Sequence, residues 1–245
     1  MRAVGIFGAI HLVGTALLMW LGYTWLGLGE SRAGALLGSF VVALLFLLLV
    51  CWLYGASFRF FDERRVAGAF RVTLGRVPAL AVAVLLGLFV YWLVVLLVAA
   101  ADGKALPVAS WLTLQLRKPV RPYTVRHVFE AVFWAIEWIV LPLLLLPMLA
   151  AISARGFRGF GSIGAGWHRR LYWLKTPVLV LLAIWVPLKL LAWAPHMKTF
   201  RMEMASFVAR AAVAYLLFVA GWLALAFVTP AGKPVRTQPS TVPSP

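Results

Sequence analysis

Glu137 is the residue of this chain whose type and position suit chemistry, because it places a carboxyl group within a stretch apolar enough to cross a bilayer. Glu130 and Trp134 precede it by seven and three residues, so the three side chains share one face of a helix. Glu137 lies about 13 Å inside the stretch at 1.5 Å per residue. A carboxylate at that depth must be protonated, paired or hydrated, which makes it a candidate proton or cation site.

Two basic residues are predicted in the same leaflet as Glu137. Lys189 lies in the fifth apolar stretch and Arg210 in the sixth, each roughly 8 Å from the membrane face at which the fourth stretch begins. A nearby cation favours the charged carboxylate and desolvation disfavours it, so Glu137 is predicted to be paired with Lys189 or Arg210 or held protonated. The predicted intramembrane polar cluster is Glu137, Lys189, Arg210 and, nearer the surface, Glu130. It either locks three helices together or forms a functional site.

Six apolar stretches are long enough to carry these residues across a bilayer. We predict an all-α integral membrane protein, a bundle of six transmembrane helices with short interfacial amphipathic helices in its loops. The predicted spans are residues 4–28, 34–54, 78–101, 128–152, 176–194 and 204–228, followed by a disordered Pro-rich tail at 229–245.

The orientation of the later spans depends on the uncharged run 105–116. As a helix it covers about 18 Å, which is too short to cross, so it is predicted to be interfacial or re-entrant. If it did cross, the orientation of every later span would be reversed.

The composition is typical of this class of protein. The chain has 245 residues, 64% of them hydrophobic, and its mean hydropathy is +0.96. The net charge is +16, and the basic residues lie mostly between apolar stretches, as expected of loops against anionic head groups. A nucleic-acid-binding protein would carry such charge on a polar domain, so nucleic acid is not a predicted partner. Cys51 is the single cysteine, which excludes an intrachain disulfide and suggests a small buried hydrophobe.

Basic and aromatic residues are mixed in two loops, 56–77 and 153–175, on the predicted side of the termini. This mixture is typical of segments that lie in the membrane interface. The alternative interpretation is a pair of cytoplasmic loops that follow the positive-inside rule. Under the first interpretation, the residues predicted to contact anionic lipid are Arg59, Arg64, Arg65, Arg71, Arg169 and Arg170.

The distribution of Lys and Arg predicts the orientation of the chain. With six spans both termini share one face, and that face carries thirteen of these residues against eight in the loops of the other. The positive-inside rule then places both termini in the cytoplasm.

Two other features each have two interpretations. His11 lies within the first span, with no second His at ligand spacing, and either hydrogen-bonds inside the bundle or acts as a haem ligand or proton relay. Gly34 and Gly38 form a GxxxG spacing, which allows close helix packing but is also common in membrane helices that do not pack there.

The last part of the chain carries three short patterns: Arg170-x-Tyr172-Trp173-Leu174, Pro187-x-Lys189-Leu190-x-x-Trp193-x-Pro195, and Ser206-x-x-x-Arg210 before an apolar helix ending in Trp222. Over about the final sixty residues, these patterns resemble those of uncharacterised multi-pass bacterial inner-membrane proteins. The resemblance implies a bacterial inner-membrane location. It implies no activity, so it transfers no catalytic or binding role to any residue.

Three classes of function are compatible with the sequence. A non-catalytic membrane subunit, scaffold or lipid-interacting protein is favoured, because the spans are overwhelmingly apolar and no catalytic motif is found. The alternative is a small transporter or a proton- or ion-linked carrier that uses Glu137, with prolines at 142, 147 and 187 to break the helices. An enzyme is the least favoured class, and no catalytic residue, metal site or cofactor is predicted. The predicted partners are a bilayer with anionic lipid, other membrane subunits or a second copy of the chain.

Overall fold

The regular structure of this protein is helical throughout the residues that its computed structural model describes, which are 2–28, 33–166, 170–195 and 199–229. The α-helices in chain order are α1 Arg2–Leu26, α2 Ala33–Glu63, α3 Val66–Leu74, α4 Val77–Asp102, α5 Ala105–Leu116, α6 Pro122–Ala135, α7 Leu141–Arg155, α8 Arg170–Val180, α9 Val186–Ala192 and α10 Phe200–Val228. Two π turns, Ile136–Val140 and Leu181–Trp185, and a 3₁₀ segment, Gly156–Gly166, complete the helical structure of these described ranges. Apart from Thr229, the predicted tail lies outside the described residues.

Within the described ranges, six helical units are long and apolar enough to cross a membrane, which confirms the predicted fold class. α1, α2, α4 and α10 are single helices, whereas α6 joins α7 through the first π turn and α8 joins α9 through the second. A helix suits a bilayer because it satisfies its own N–H and C=O groups without water.

The twelve-residue helix α5 is too short to cross and packs beside α6. Ala105 and Ala109 of α5 are buried together with Val125 of α6. Arg117 ends α5 in the left-handed region, at φ 51°, which turns the chain back toward α6.

α2 continues to Glu63, nine residues beyond the predicted end of the second span. This extension contains no proline and is held by the bundle, since Phe60 stacks on Phe7 of α1 with ring centroids 4.0 Å apart. The first part of the predicted loop is therefore helix. Arg64, with a positive φ of 57°, then ends α2 before the short helix α3 begins.

The core of the bundle lies on the side at which α1 begins and α2 and α10 end. In α2 no residue from 33 to 50 is buried, whereas seven are buried from Cys51 to Phe60. The buried residues of α10 likewise lie between Ala214 and Ala226. The helices therefore pack against one another mainly in this half, and the other half of α2 and of α10 exposes apolar side chains.

Both π turns stand directly before a proline. Pro142 and Pro187 are each the second residue after a turn, and the carbonyl groups four residues earlier, at Trp138 and Ala183, lie inside the turns. Proline lacks the N–H that would bond to this carbonyl, and its ring collides with the carbonyl in a regular α-helix. The wider turn moves the carbonyl aside, so that each span continues through its proline.

Candidate functional site

Glu137 lies in the first π turn and is half-buried. No hydrogen bond or ion pair joins its carboxylate to another residue in the described part of the chain. π turns often occur at functional sites, because the widened backbone changes how side chains are presented. The ion pair with Lys189 or Arg210, one of the two predicted alternatives, is not formed among the described residues, and the protonated carboxyl group stays a prediction.

Lys189 does not meet Glu137, because the helices that carry them run antiparallel. Trp134 and Trp185 are level with each other, with ring centroids 6.0 Å apart and planes at 82°. Glu137 follows Trp134 by three residues in one direction, and Lys189 follows Trp185 by four residues in the other. The two charged positions are thus about 10 Å apart along the helix axes. Lys189 Nζ instead lies 5.5 Å from the centroid of the Trp185 ring, in a cation–π contact.

Arg210 is held by its own helix and by α9. Its Nε donates to the carbonyl of Ser206 at 3.2 Å, and its Nη1 donates to the carbonyl of Leu190 at 3.1 Å. Its guanidinium carbon lies 5.9 Å from the centroid of the Trp193 ring and 6.0 Å from that of Phe207. This arginine therefore has backbone and aromatic partners in place of the predicted carboxylate.

Glu130 belongs to an exposed cluster near the start of α6. It accepts a hydrogen bond from Arg126 Nε at 3.2 Å and lies 2.8 Å from His127 Nδ1. Arg126 Nε is also 3.1 Å from an oxygen of Asp102 at the end of α4. Each of these side chains is about half exposed, so the ion pairs are surface pairs that contribute little to stability.

The four residues of the predicted intramembrane cluster therefore occupy three places. Glu130 is in the exposed cluster and Glu137 is in the first π turn. Lys189 and Arg210 lie on neighbouring helices, where the arginine bonds to the carbonyl of Leu190 while Lys189 Nζ packs over Trp185.

Arg64 lies against aromatic rings where α2 ends beside α10. Its guanidinium carbon is 5.6 Å from the centroid of the Phe61 ring and 5.9 Å from that of Phe227. Arg59, one helical turn earlier, forms an ion pair with Glu63. Of these two arginines, only Arg59 is neutralised by a carboxylate of the described chain.

Three of the predicted lipid-contacting residues, Arg64, Arg65 and Arg71, follow the end of α2 or lie in α3, and are together called the basic surface. All three are exposed, and none forms an ion pair with a carboxylate that the structure describes. Arg169 lies outside the described residues, as does the side chain of Arg170. The basic surface is therefore defined here by the end of α2 and by α3.

A buried polar cluster joins α1, α2 and α10. Of its members, only His11 is singled out in the sequence. The His11 side chain is fully buried, with Nε2 at 3.0 Å from the hydroxyl of Ser57. That hydroxyl also accepts from the indole N–H of Trp222 at 3.1 Å. One turn away, the hydroxyl groups of Thr15 and Tyr54 are 3.1 Å apart. These contacts confirm the interpretation of His11 as a residue that hydrogen-bonds inside the bundle.

An apolar cavity of about 220 Å³ lies beside this polar cluster, between α2, α4, α7, the second π turn and α10. Cys51 lines it and is buried, as predicted for a small hydrophobe. Carbon atoms form its surface, so it suits hydrocarbon better than a polar ligand. The other lining residues include Tyr54, Leu80, Leu149, Ile184 and Trp222.

The closest helix contact at a glycine is not at the GxxxG spacing. A Cβ added at Gly34 or Gly38 would meet nothing within 4 Å. A Cβ at Gly221 of α10 would overlap Ala183 of the second π turn. Gly221 therefore allows α10 and the second π turn to pack closely.

Helix length and hydropathy together make this chain a multi-pass membrane protein. Comparison of the chain with protein-family models, with curated proteins and with solved structures found no match in any of the three. The resemblance of the last sixty or so residues to uncharacterised inner-membrane proteins therefore depends on the patterns in that segment alone.

Proposed function

We propose that this chain is a non-catalytic inner-membrane protein, a membrane subunit or scaffold, that binds anionic lipid through the basic surface of Arg64, Arg65 and Arg71. The observation that carries this proposal is the absence of any carboxylate partner for these three exposed cations among the described residues. Near an anionic leaflet, each such cation contributes about 1 kcal/mol to membrane attraction.

The helices hold the basic surface in place. Trp52 of α2 donates its indole N–H to the carbonyl of Phe70 in α3 at 2.9 Å, and the two rings pack edge to face. Arg71 follows Phe70 directly, so its backbone is fixed relative to α2. Because the backbone that carries Arg71 is already fixed, binding of a head group there orders side chains rather than the backbone.

Removal of these charges should lower the anionic lipid that co-purifies with the protein. We expect the triple variant Arg64→Gln, Arg65→Gln, Arg71→Gln to retain less phosphatidylglycerol relative to phosphatidylethanolamine than the unchanged chain. The matched control removes three exposed charges from the connection between α4 and α6, as Lys104→Gln, Arg117→Gln and Arg121→Gln. Equal lipid ratios in all three proteins would contradict the proposal, and an equal loss in the control would show a dependence on net charge alone.

A proton- or ion-linked carrier is the second candidate, and one observation favours it. Glu137 stands in a π turn with no described partner, and the second π turn, Leu181–Trp185, lies against the same part of the span. An unpaired carboxyl group inside a membrane protein tends to bind a proton or a cation.

Glu137→Gln tests the carrier, because glutamine keeps the size of the side chain but cannot ionise. In proteoliposomes with an internal pH dye, we expect the unchanged chain to carry protons under an imposed potential and Glu137→Gln not to. Thermal unfolding should be nearly the same for both, since no ion pair is lost. The control is Glu203→Gln, an exposed acid in the first turn of α10. Proton flux that survives in Glu137→Gln, or that is absent from the unchanged chain, would exclude this candidate.

A further inference from the structure

The apolar cavity between α2, α4, α7, the second π turn and α10 is large enough to hold a ligand. Its volume is about 220 Å³. By comparison, an apolar cavity of roughly 150 Å³ in a protein core stays dry and binds benzene. Side chains around an empty space lack contacts on one side, so a hydrocarbon that fills the space gains dispersion attraction at many atoms. The cavity is therefore a candidate site for a hydrocarbon.

The polar atoms of the tyrosine and the tryptophan that line the cavity are occupied elsewhere. The hydroxyl of Tyr54 lies 3.1 Å from that of Thr15, and the indole N–H of Trp222 donates to Ser57 at 3.1 Å. Neither Thr15 nor Ser57 lines the cavity. Apart from the weakly polar thiol of Cys51, the walls offer a ligand no hydrogen-bonding side chain. A bound water molecule needs roughly two to four polar partners, so this site does not suit water.

The cavity lies where the packed half of α2 begins. Val50 is the last residue of the stretch of α2 without a buried side chain, Cys51 is the first buried one, and both line the cavity. Val84 of α4 and Phe218 of α10, which also line it, are only partly buried. The cavity therefore borders the half of the bundle whose apolar side chains are exposed, and in a membrane those side chains are in contact with lipid.

The depth of the cavity matches the ends of lipid chains. Val84 is seven residues from the start of α4, or about 10 Å, and Phe218 is ten residues from the end of α10, or about 15 Å. Both of these helix ends lie on the side of the bundle at which α2 ends. The hydrocarbon core of a bilayer is about 30 Å thick, so its middle is about 15 Å from either face. The cavity therefore lies near the depth at which the acyl chains of that leaflet end.

We propose that this cavity holds the end of an acyl chain of a membrane phospholipid from the leaflet on the side of the termini. A chain end carries no polar atom, as the walls require, and phospholipid is the hydrocarbon that a membrane supplies at this depth. Lipid chains are as apolar as leucine, so the chain is held by packing against the walls and not by the hydrophobic effect. The site goes beyond the proposed function, because no residue of the basic surface lines it.

Photo-crosslinking of the full chain in proteoliposomes tests this proposal. The probe is phosphatidylcholine with a diazirine at the end of one acyl chain, and labelled residues are located by mass spectrometry. Its neutral head group makes the result independent of the basic surface. Cys51 and Leu80 are the reporters, because they line the cavity and are 4% and 2% exposed, so that a chain outside the bundle does not reach them. We expect both to be labelled by this probe, and neither by a probe whose diazirine lies beside the head group.

Filling the cavity should remove this labelling. Val84→Phe adds a ring at the cavity wall, and we expect loss of labelling at Cys51 and Leu80 with labelling of the exposed Leu85 unchanged. Val82→Phe is the matched control, because it makes the same substitution at an exposed position of the same helix, and it should label like the unchanged chain. Val84→Leu is a milder filling variant, expected to reduce the labelling, and it replaces Val84→Phe if thermal unfolding shows that the latter does not fold.

Three results would overturn the proposal. The first is an absence of labelling at Cys51 and Leu80 in the unchanged chain, which would mean that the cavity is empty or filled by movement of its own side chains. The second is unchanged labelling in a folded Val84 variant, which would mean that the probe reaches these residues by another route. The third is an equal loss in Val82→Phe, which would assign the effect to the outer surface of α4.

Discussion

Ser57 of α2 bonds to side chains of two other helices, His11 of α1 and Trp222 of α10. Its hydroxyl accepts from the indole N–H, while the direction of its bond to the imidazole depends on the histidine tautomer. Each of these groups is surrounded by apolar side chains and packed aromatic rings. A buried polar group that loses its partner costs about 1–3 kcal/mol.

We expect Ser57→Ala to destabilise the protein by about 1–3 kcal/mol, because it leaves His11 and Trp222 without their shared partner. The measurement is equilibrium unfolding in mixed detergent micelles followed by circular dichroism. Ser110→Ala is the control, since the exposed Ser110 bonds only to a carbonyl of its own helix. If both variants unfold together with the unchanged chain, the Ser57 contacts add nothing to stability.

The sequence identified single residues better than the contacts between them. His11 was recognised as an intramembrane histidine, but its partner Ser57 is 46 residues away and lay in a predicted loop. Glu137 was recognised as an acid inside a span, but of its predicted alternatives the ion pair with Lys189 or Arg210 is not formed among the described residues. Depth along a span follows from residue count, whereas the meeting of two side chains depends on how antiparallel helices are aligned, and one sequence does not determine that alignment.

At the scale of the elements, α10 and the second π turn approach each other closely at Gly221. The glycine leaves room for Ala183, which a side chain at residue 221 would overlap. This contact fixes the π turn against the last span. Near this contact, Val180 and Leu225 belong to the same buried core cluster as Ala183.

We expect Gly221→Ala to destabilise the protein by about 1–3 kcal/mol, because the added methyl group pushes two packed helices apart. Gly38→Ala is the matched control, since nothing lies within 4 Å of a Cβ there, and it should be neutral or stabilising by up to about 1 kcal/mol. The measurement is the thermal unfolding temperature of both variants and of the unchanged chain in the same detergent. A loss of stability in Gly38→Ala that equals the loss in Gly221→Ala would show that helix packing is not the cause.

Apolar length was sufficient to predict the six helical units that are long enough to cross a membrane. Six stretches were identified, and the short run 105–116 was predicted not to cross, in agreement with α5. The end of α2 was missed, because Phe60 and the residues around it alternate with arginine and resemble a loop until their contact with α1 is known. The prolines indicated irregular helices. The π turns that accommodate them became visible only in the backbone.

At the scale of the whole molecule, the basic surface lies beside the end of α10, and Arg210 lies in the first half of that helix. The bundle core lies toward the end with the basic surface, where residues 51–60 of α2 are mostly buried. The distribution of Lys and Arg predicts that this end faces the cytoplasm.

We expect both termini to be cytoplasmic, and reporter fusions test this orientation directly. Fusions after Lys104 and Lys198 should report the periplasm, and fusions after Arg65 and Lys233 the cytoplasm. The reason is that six helical units are long enough to cross and α5 is not. A cytoplasmic report at Lys198 together with a periplasmic one at Lys104 would mean that the number of crossings between these positions is odd, contrary to the six-span topology.

The two π turns have a consequence for insertions and deletions. Each turn accommodates about one residue more than an α-helical turn, while the helical halves on either side keep their faces toward the same neighbours. Loss of one residue elsewhere in such a span would rotate one half by about 100° relative to the other. Loss of one residue within the turn would preserve that phase, provided that Pro142 or Pro187 were replaced as well. The length of these two spans is therefore coupled to their prolines.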